Sequence, residues 1–327
     1  MKLTRRTLLG GTMVVGGLAT IGGLGPAAAE PISVGVLIPG SVNDRGFMES
    51  ANTGLKAVQA RLGERAKVQL IENINYADME QVFVTLASKN PYVAAVSGAS
   101  QAAMLKAAKR FPNVKFGLVG GAKLKGDESN VSQFDVRQAE IGFVSGAAAA
   151  LLSKTGVISY IGGLEIPGIV NTGKEFGNGA KYVRPDIKYI QTFTGNFDDV
   201  AKAKEAGIAA AAQGADIHYH ILNQGLRGLE QAARETKTRV FGGITDRCGS
   251  DSVYVGYSVT NIGYLLGIIL EEFAGDTWKP GSRPFGLAAG SQASDVAICD
   301  GATPEIKAKI EEIKKDIVGG KIKTLEG

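Results

Sequence analysis

The segment Ser33–Ile38 (SVGVLI) is followed by Pro39–Phe47 (PGSVNDRGF), and these two stretches together decide how the chain is organised. The first is a short apolar run that predicts a buried strand, and the second is a loop of small and polar residues. A helical pattern begins at Phe47 and continues to Leu62, with apolar residues at three- and four-residue spacing. A strand, a loop and a helix in this order form the first unit of an α/β fold with a parallel sheet.

The alternation of strands and helices continues along the chain in two series. In the first series, further strands are predicted at Val68–Glu72, Val93–Ser97, Lys115–Val119 and Val131–Phe134. In the second series, which starts with a helix at Ala139, strands are predicted at Val157–Ile161, Lys188–Thr194, Ile217–Leu222 and Val240–Ile244. Two series of similar size predict an α/β protein with two Rossmann-like lobes, each built on a parallel sheet.

The last part of the chain is less regular and is expected to return to both lobes. A strand is predicted at Ser252–Val259, a helix at Ile262–Phe273, and a connection rich in proline and glycine at Lys279–Arg283. We therefore predict a multi-strand hinge, with crossings near Asp135, Tyr257 and Gly286. The N-terminal lobe would comprise residues 30–136 and about 258–285, and the C-terminal lobe residues 137–257 and about 286–327.

Residues 1–29 have the features of a removable export signal. Lys2, Arg5 and Arg6 give a basic start, a glycine-rich apolar stretch follows, and Ala27–Ala29 fits a small-residue cleavage pattern. The paired arginines resemble a twin-arginine signal, and an ordinary secretion signal that carries two arginines by chance is the alternative. We therefore expect a periplasmic protein without stable membrane insertion.

The net charge of +4 includes the three positive charges of this leader, so the remaining chain is nearly neutral. A neutral surface offers no electrostatic footprint for nucleic acid. In an oxidising periplasm, Cys248 and Cys299 are able to pair, but their separation in sequence does not decide whether they do.

Motifs for catalysis and for metal binding are missing from the sequence. His218 and His220 alternate on a predicted strand, and two histidines without a third ligand do not indicate a metal site. No nucleophile elbow, P-loop or dinucleotide fingerprint is found. The sequence therefore indicates neither an enzyme nor a bound cofactor.

Ligands of open α/β sheets bind beyond the carboxyl ends of the strands, so the site is expected in the loops between the two lobes. Asn43, Asp44 and Phe47 follow the first strand. Asp44 is expected either to accept hydrogen bonds from a ligand or to cap the next helix, and Phe47 either to offer a flat face or to join the core. Ser97 and Ser100 follow the third strand and either bind a polar group or cap a helix.

The second lobe offers a matching set of residues. Phe197 lies between small and polar neighbours at a predicted strand end, so Phe47 and Phe197 would sandwich a flat ring when the lobes close. Asn223 and Asp246 follow later strands and are expected to bind polar edges of the same ligand.

Several short motifs resemble the basic-membrane-protein family of periplasmic solute receptors, relatives of the purine-nucleoside receptor lipoproteins that feed ATP-driven importers. They include Asp44–Phe47 (DRGF), Gly142–Gly146 (GFVSG), Tyr160–Gly163 (YIGG), Gly195–Asp199 (GNFDD) and Gly243–Asp246 (GITD). The resemblance implies a type I periplasmic-binding-protein fold, a ligand held at the hinge, and delivery to the permease of an ABC transporter. It also implies that Phe47, with Phe197, stacks on a purine and that Asp246 accepts hydrogen bonds from it.

The sequence departs from this family in three places. Met48 stands where an asparagine is common, the usual lysine is missing from Tyr257–Thr260, and the leader lacks a cysteine for lipid attachment. The hypothesis is a monomeric receptor that captures a purine nucleoside or nucleobase. The alternatives are an exported oxidoreductase with a nucleotide cofactor and a ligand-sensing partner of a membrane receptor.

Overall fold

The computed structural model describes residues 31–325, so the predicted export signal at residues 1–29 lies outside the described residues. The strands are β1 (Ile32–Ile38), β2 (Ala66–Glu72), β3 (Tyr92–Val96), β4 (Lys115–Val119), β5 (Val131–Val136), β6 (Val157–Gly162), β7 (Lys188–Phe193), β8 (Ile217–Ile221), β9 (Arg239–Gly242), β10 (Tyr254–Thr260), β11 (Gly281–Phe285) and β12 (Ser294–Ile298). The helices are α1 (Phe47–Leu62), α2 (Met79–Ala87), α3 (Gln101–Arg110), α4 (Gln138–Leu152), α5 (Pro167–Val183), α6 (Val200–Ala212), α7 (Leu226–Thr236), α8 (Ile262–Ala274) and α9 (Pro304–Val318).

These elements form two six-stranded sheets. The first sheet has the order β2-β1-β3-β4-β5-β11, and every neighbouring pair in it is parallel. The second has the order β7-β6-β8-β9-β10-β12 and is parallel except at its edge, where β12 runs antiparallel to β10. The predicted α/β fold with two parallel-sheet lobes is confirmed.

Helices cover both faces of the first sheet because its strands are apolar on both sides. On one face, Leu55 of α1 and Leu266 of α8 pack against Val36 of β1. On the other face, Phe83 of α2 and Met104 of α3 form a separate cluster. Strands that are buried on both faces have continuous apolar sequences. The strands of this lobe were therefore predictable from the sequence.

In the second lobe, α4 and α5 pack with their backbones almost touching. A Cβ atom at Gly146 of α4 would overlap the carbonyl oxygen of Phe176, and one at Gly179 of α5 would overlap that of Phe143. Glycine is therefore required at both positions, and this contact explains the glycine and alanine content of α4.

The described chain passes between the lobes after β5, after β10 and after β11. The first and last of these connections are bonded to each other. The backbone N–H of Arg137 donates to the carbonyl oxygen of Phe285 at 3.1 Å, and the N–H of Leu287 donates to the Glu140 carboxylate at 2.9 Å. Such a set of connections restrains the lobes to a hinge motion.

Two edge strands differ from the sequence-based expectation. β11 overlaps the predicted proline- and glycine-rich connection and extends beyond it to Phe285, and β12 has no counterpart among the predicted strands. Pro284 within β11 cannot donate a hydrogen bond to a ladder, so it is tolerated here because β11 is an edge strand paired on one side with β5.

Candidate functional site

A cavity of about 200 Å³ lies between the two lobes, at the carboxyl ends of their parallel strands. The first lobe contributes Phe47, Met48, Tyr76, Ser97, Gly98, Ala99, Gln101, Gly120, Gly121, Ala122 and Val136. The second contributes Gln138, Ile166, Pro167, Gly168, Ile169, Phe197, Ile221, Asn223 and Ile244. The cavity is therefore in the place that the topology of two facing α/β sheets predicts for a ligand.

The described lining of this cavity contains no Asp, Glu, Lys, Arg or His side chain. Its polar side chains are those of Tyr76, Ser97, Gln101, Gln138 and Asn223, and the remaining residues are apolar or glycine. An ionised ligand that is moved from water into such a site finds no counter-charge to offset its desolvation. The lining therefore favours an uncharged ligand.

Phe47 and Phe197 line the cavity from opposite lobes. Phe47 is the first residue of α1, so its ring position is set by the start of that helix. The ring of Phe197 lies directly over Gly163, where an added Cβ atom would overlap it. The missing side chain at Gly163 therefore allows Phe197 to form part of the cavity wall.

Two side-chain amides in the lining are available for a ligand. Gln138, in the first turn of α4, and Asn223, which follows β8, make no side-chain hydrogen bond to another described residue. Each amide offers both donors and an acceptor, so each is able to bind the edge of a neutral polar ring.

The other polar residues of the lining hold the protein's own loops. The side-chain amide of Gln101 pairs with the backbone of Ala122, at 2.9 Å to its N–H and 2.5 Å to its carbonyl oxygen. Ser97 Oγ accepts a hydrogen bond from the N–H of Ala99 at 3.3 Å, and its backbone has a φ of 78°. Positive φ is rare outside glycine, so this loop has a shape that its surroundings must hold in place.

Asp44 does not line the cavity, although it was predicted as a site residue. It is 1% exposed, and its carboxylate accepts hydrogen bonds from the backbone N–H groups of Gly46, Met48 and Glu49 at 2.8 to 3.0 Å. Burial raises the pKa of Asp44, and the three backbone donors oppose that shift. Ser100 is likewise buried and donates to a backbone carbonyl of β3 at 2.8 Å. Asp44 thus serves the start of α1, which is the other role that the sequence allowed it, whereas the Ser100 hydroxyl makes no capping hydrogen bond to α3.

Asn43 and Asp246 also lie outside the cavity lining. Asn43 is exposed, and its backbone carbonyl accepts a hydrogen bond from the side chain of Gln224, across the cleft, at 2.9 Å. The exposed Asp246 accepts from the N–H of Cys248 at 2.9 Å and lies beside Tyr257. Burial, and then the Asp246 carboxylate, raise the pKa of Tyr257. The structure thus gathers four of the eight predicted residues, Phe47, Ser97, Phe197 and Asn223, around one cavity.

The sequence-based reasoning named none of the other lining residues as site residues, and three of these illustrate why. Gln138 follows the first crossing between the lobes, Tyr76 lies in the loop after β2, and Ile244 follows β9. Ile244 has a φ of 75°, which is rare for a β-branched residue. For Gln138, the available signal was its place three residues after Asp135, where a hinge crossing was expected. Ile244 lies in the motif Gly243–Asp246 and at the end of a predicted strand, whereas Tyr76 carries no comparable signal.

A buried histidine supports two of the cavity loops from behind. The N–H groups of Leu222 and Gly243 lie 3.3 and 3.1 Å from Nδ1 and Nε2 of His220. A neutral imidazole accepts at one nitrogen only, so one of these contacts is a hydrogen bond at a time. Burial, and then the charge of Arg247, lower the pKa of His220 to about 3. The neutral ring therefore stands directly behind the segments that carry Asn223 and Ile244.

Cys248 and Cys299 form a disulfide, which settles the pairing that the sequence left open. Among residues 31–325, no cluster of side chains is suited to holding a metal ion. In the same range, no helix has the length and apolar character needed to cross a membrane.

The profile of the Bmp family, described as PnrA-like ABC transporter substrate-binding proteins, matches residues 32–291. The chain belongs to this family. The resemblance to the basic-membrane-protein family is thus confirmed, and the chain is a substrate-binding protein of the ABC transporter type. Its family consists of solute-binding proteins.

Two relatives with curated names are similar over much of this Bmp-family chain. A purine-binding protein of Brucella abortus is 31% identical over 206 residues, which cover 61% of this chain and 58% of the Brucella protein. The nucleoside-binding protein BmpA of an ABC transporter in Lactococcus lactis is 27% identical over 304 residues, 86% of this chain and 85% of that one.

A solved structure shares the fold of this chain over most of its length. The solute-binding protein of an ABC transporter system from Aeropyrum pernix superposes with a TM-score of 0.79 at 21% identity, covering 91% of this chain and 94% of that one. This likeness confirms the predicted type I periplasmic-binding-protein fold.

Proposed function

We propose that this Bmp-family protein is the periplasmic receptor of an ABC importer and that it captures an uncharged, flat, ring-bearing solute, a purine nucleobase or nucleoside. The observation that carries the proposal is the interlobe cavity, which has an aromatic ring from each lobe and no charged side chain in its described lining. The names of the two relatives, one purine-binding and one nucleoside-binding, support the same ligand class.

In the proposed complex, Phe47 and Phe197 lie against the two faces of the ligand ring. Aromatic stacking suits any flat heterocycle and adds little discrimination between bases. Gln138 and Asn223 bind the polar edge of the ring, because their amides supply both donors and acceptors. Discrimination between purines then depends on these two amides and on backbone groups of the surrounding loops.

Capture proceeds by a shift between open and closed arrangements of the lobes. A ligand that contacts both lobes interacts more strongly with the closed arrangement and therefore increases its population. The closed form is the one presented to the permease. In this proposal the receptor acts as a monomer, is exported by the leader at residues 1–29, and carries no cofactor.

Isothermal titration calorimetry tests the ligand class. Adenine, guanine and hypoxanthine are titrated beside adenosine, guanosine and inosine, with AMP as a charged comparison. At least one neutral compound is expected to bind, and AMP to bind far more weakly. Equal binding of AMP and adenosine would contradict an uncharged pocket, and no heat with any of the seven compounds would contradict the purine class.

Substitution of Phe197 tests the site itself. Phe197→Ala is expected to weaken binding roughly tenfold, because one stacking partner is lost. Tyr182→Ala is the matched control, since Tyr182 is 50% exposed and does not line the cavity. Equal affinities of the two variants would show that the ligand does not rest on Phe197.

Mass spectrometry of the denatured protein's supernatant tests the oxidoreductase alternative. The receptor proposal predicts no stoichiometric nicotinamide or flavin, and finding either one would favour the alternative.

A further inference from the structure

The loop Asn43–Gly46 of the first lobe is bonded to the second lobe outside the cavity. Gln224 Nε2 donates to the backbone carbonyl of Asn43 at 2.9 Å. The guanidinium of Arg247 donates to the backbone carbonyl of Arg45. Both bonds cross between the lobes, and none of these four residues belongs to the cavity lining.

A charge pair crosses the same boundary. Arg45 Nη1 lies 3.7 Å from Oε2 of Glu230, a carboxylate that is 7% exposed in the second lobe. Glu230 also accepts a hydrogen bond from the hydroxyl of Tyr254 at 2.8 Å. A buried carboxylate is stabilised by a cation close to it, and in the described ion pairs Arg45 is that cation. Separation of the lobes removes this partner from Glu230.

The first-lobe side of this contact has a fixed shape. The Asp44 carboxylate holds the backbone N–H groups of Gly46, Met48 and Glu49, and Arg45 has a φ of 59°. A Cβ atom at Gly46 would lie 3.1 Å from Oδ1 of Asn223, so the loop fits closely against the second lobe. A rigid loop loses little conformational entropy when it binds its partner surface.

The second-lobe side is fixed by the disulfide. Arg247 stands next to Cys248, which is bonded to Cys299 directly after β12 at the edge of the second sheet. The segment after β9 is thereby tied to that sheet edge. The covalent link limits the positions that the Arg247 backbone is able to take.

We propose that Arg45, Gln224 and Arg247 form an interlobe latch that stabilises the closed protein without touching the ligand, and that the Cys248–Cys299 disulfide positions Arg247 in it. The apparent affinity of a receptor falls in proportion to the fraction of molecules in its binding-competent form. The latch is thus a determinant of affinity that lies outside the cavity. The inference concerns closure and does not depend on the identity of the ligand.

Small-angle X-ray scattering of the unliganded protein tests the latch directly. The ratio of closed to open molecules is obtained by fitting the two arrangements to the scattering of the wild type, Arg247→Met and Arg227→Met. Arg247→Met keeps much of the side-chain stem and removes the donor, so the ratio is expected to fall about tenfold. Arg227 is exposed on α7 and lines no part of the cavity, so its variant is the matched control. Identical scattering of the two variants would overturn the latch.

The same measurement tests the disulfide. The Cys248→Ser/Cys299→Ser double variant is expected to shift toward the open form, in the same direction as Arg247→Met. If the double variant does not fold, the wild type is measured after reduction of its disulfide with a phosphine. An unchanged closed fraction in the protein that lacks the bond would overturn the positioning role. Because no purine is added, these outcomes are independent of the titrations that test the ligand class.

Discussion

Acid is expected to destabilise this protein through two buried histidines of β8. His218 is fully buried between Ser159 and Thr238, with ring nitrogen to hydroxyl distances of 2.7 and 2.9 Å. Burial lowers its pKa to about 4, against the opposing charge of Asp216. His220 has its pKa lowered to about 3, also chiefly by burial. Both rings therefore stay neutral in the folded protein at a pH where the unfolded chain binds protons.

The sign and size of the effect follow from these values. A histidine whose folded pKa lies below the ordinary value of 6.5 contributes stability above pH 6.5, and this contribution is lost as the pH falls toward the folded pKa. Each pH unit between the two values is worth about 1.4 kcal/mol per group. Lowering the pH from about 7.5 to about 5 therefore reduces the free energy of unfolding by about 2 kcal/mol for each histidine.

Urea denaturation at these two pH values measures the loss. The wild type is compared with His218→Gln and His220→Gln, and in each variant the pH-dependent loss is expected to be smaller by about 2 kcal/mol. The comparison uses the difference between two pH values within each protein, so a general destabilisation by the substitution cancels. Carboxylates that titrate in the same range are common to all three proteins. If both variants lose as much stability as the wild type, the histidines are not the neutral buried groups described above.

Three further predictions concern the disulfide and the walls of the cleft. The Cys248→Ser/Cys299→Ser variant is expected to lose about 4 kcal/mol in guanidinium denaturation, because the bond closes a loop between residues 51 positions apart. Gly163→Ala is expected to displace the ring of Phe197, at a cost of about 1 to 3 kcal/mol in unfolding and with weaker purine binding in calorimetry. Asp44→Ala is expected to cost about 2 kcal/mol in thermal unfolding, because three backbone N–H groups lose their acceptor.

Each of these predictions has its own control. Gly267→Ala on α8 is matched to the Gly163 variant, because the nearest atoms to its added Cβ lie 3.6 Å away or more. If both glycine variants have the same stability and purine affinity, the ring of Phe197 does not rest on Gly163. For the cysteine pair, equal stability of the reduced and oxidised wild type would contradict the loop-closure reasoning. For Asp44, a melting temperature equal to that of the wild type would contradict its role at the start of α1.

The predictable parts of the fold are those in which the local pattern of apolar residues indicates which face of a helix or strand is buried. α1 has the predicted bounds, Phe47–Leu62, because it carries an apolar stripe at helical spacing. The central strands were predictable because they are continuous apolar runs that are buried on both faces of the sheet. β11 and β12 lie at sheet edges, where one side lacks a strand partner and the apolar pattern is weak. Their pairing depends on the lobes already being in place.

The site was predictable to a smaller extent, because its shape arises from contacts between distant segments. Phe197 stands out in sequence as an aromatic residue among small and polar neighbours, and it lines the cavity. An aspartate at this loop position is compatible both with ligand binding and with helix capping, so the sequence does not distinguish the two roles of Asp44. The structure does, because it shows that Asp44 is only 1% exposed. Gln138 opens a helix that begins at the hinge, so its access to the cavity depends on how the two lobes face each other.

The most direct test of the receptor is native mass spectrometry of the purified protein before and after addition of adenine or adenosine. The uncharged cavity between Phe47 and Phe197 predicts a one-to-one complex, either carried over from the expression host with the mass of a neutral purine or formed on addition. The Phe197→Ala variant is expected to show less of this complex at the same concentration. A protein that keeps the mass of the free chain with both compounds, or that carries a charged solute of another class, would contradict the proposed function.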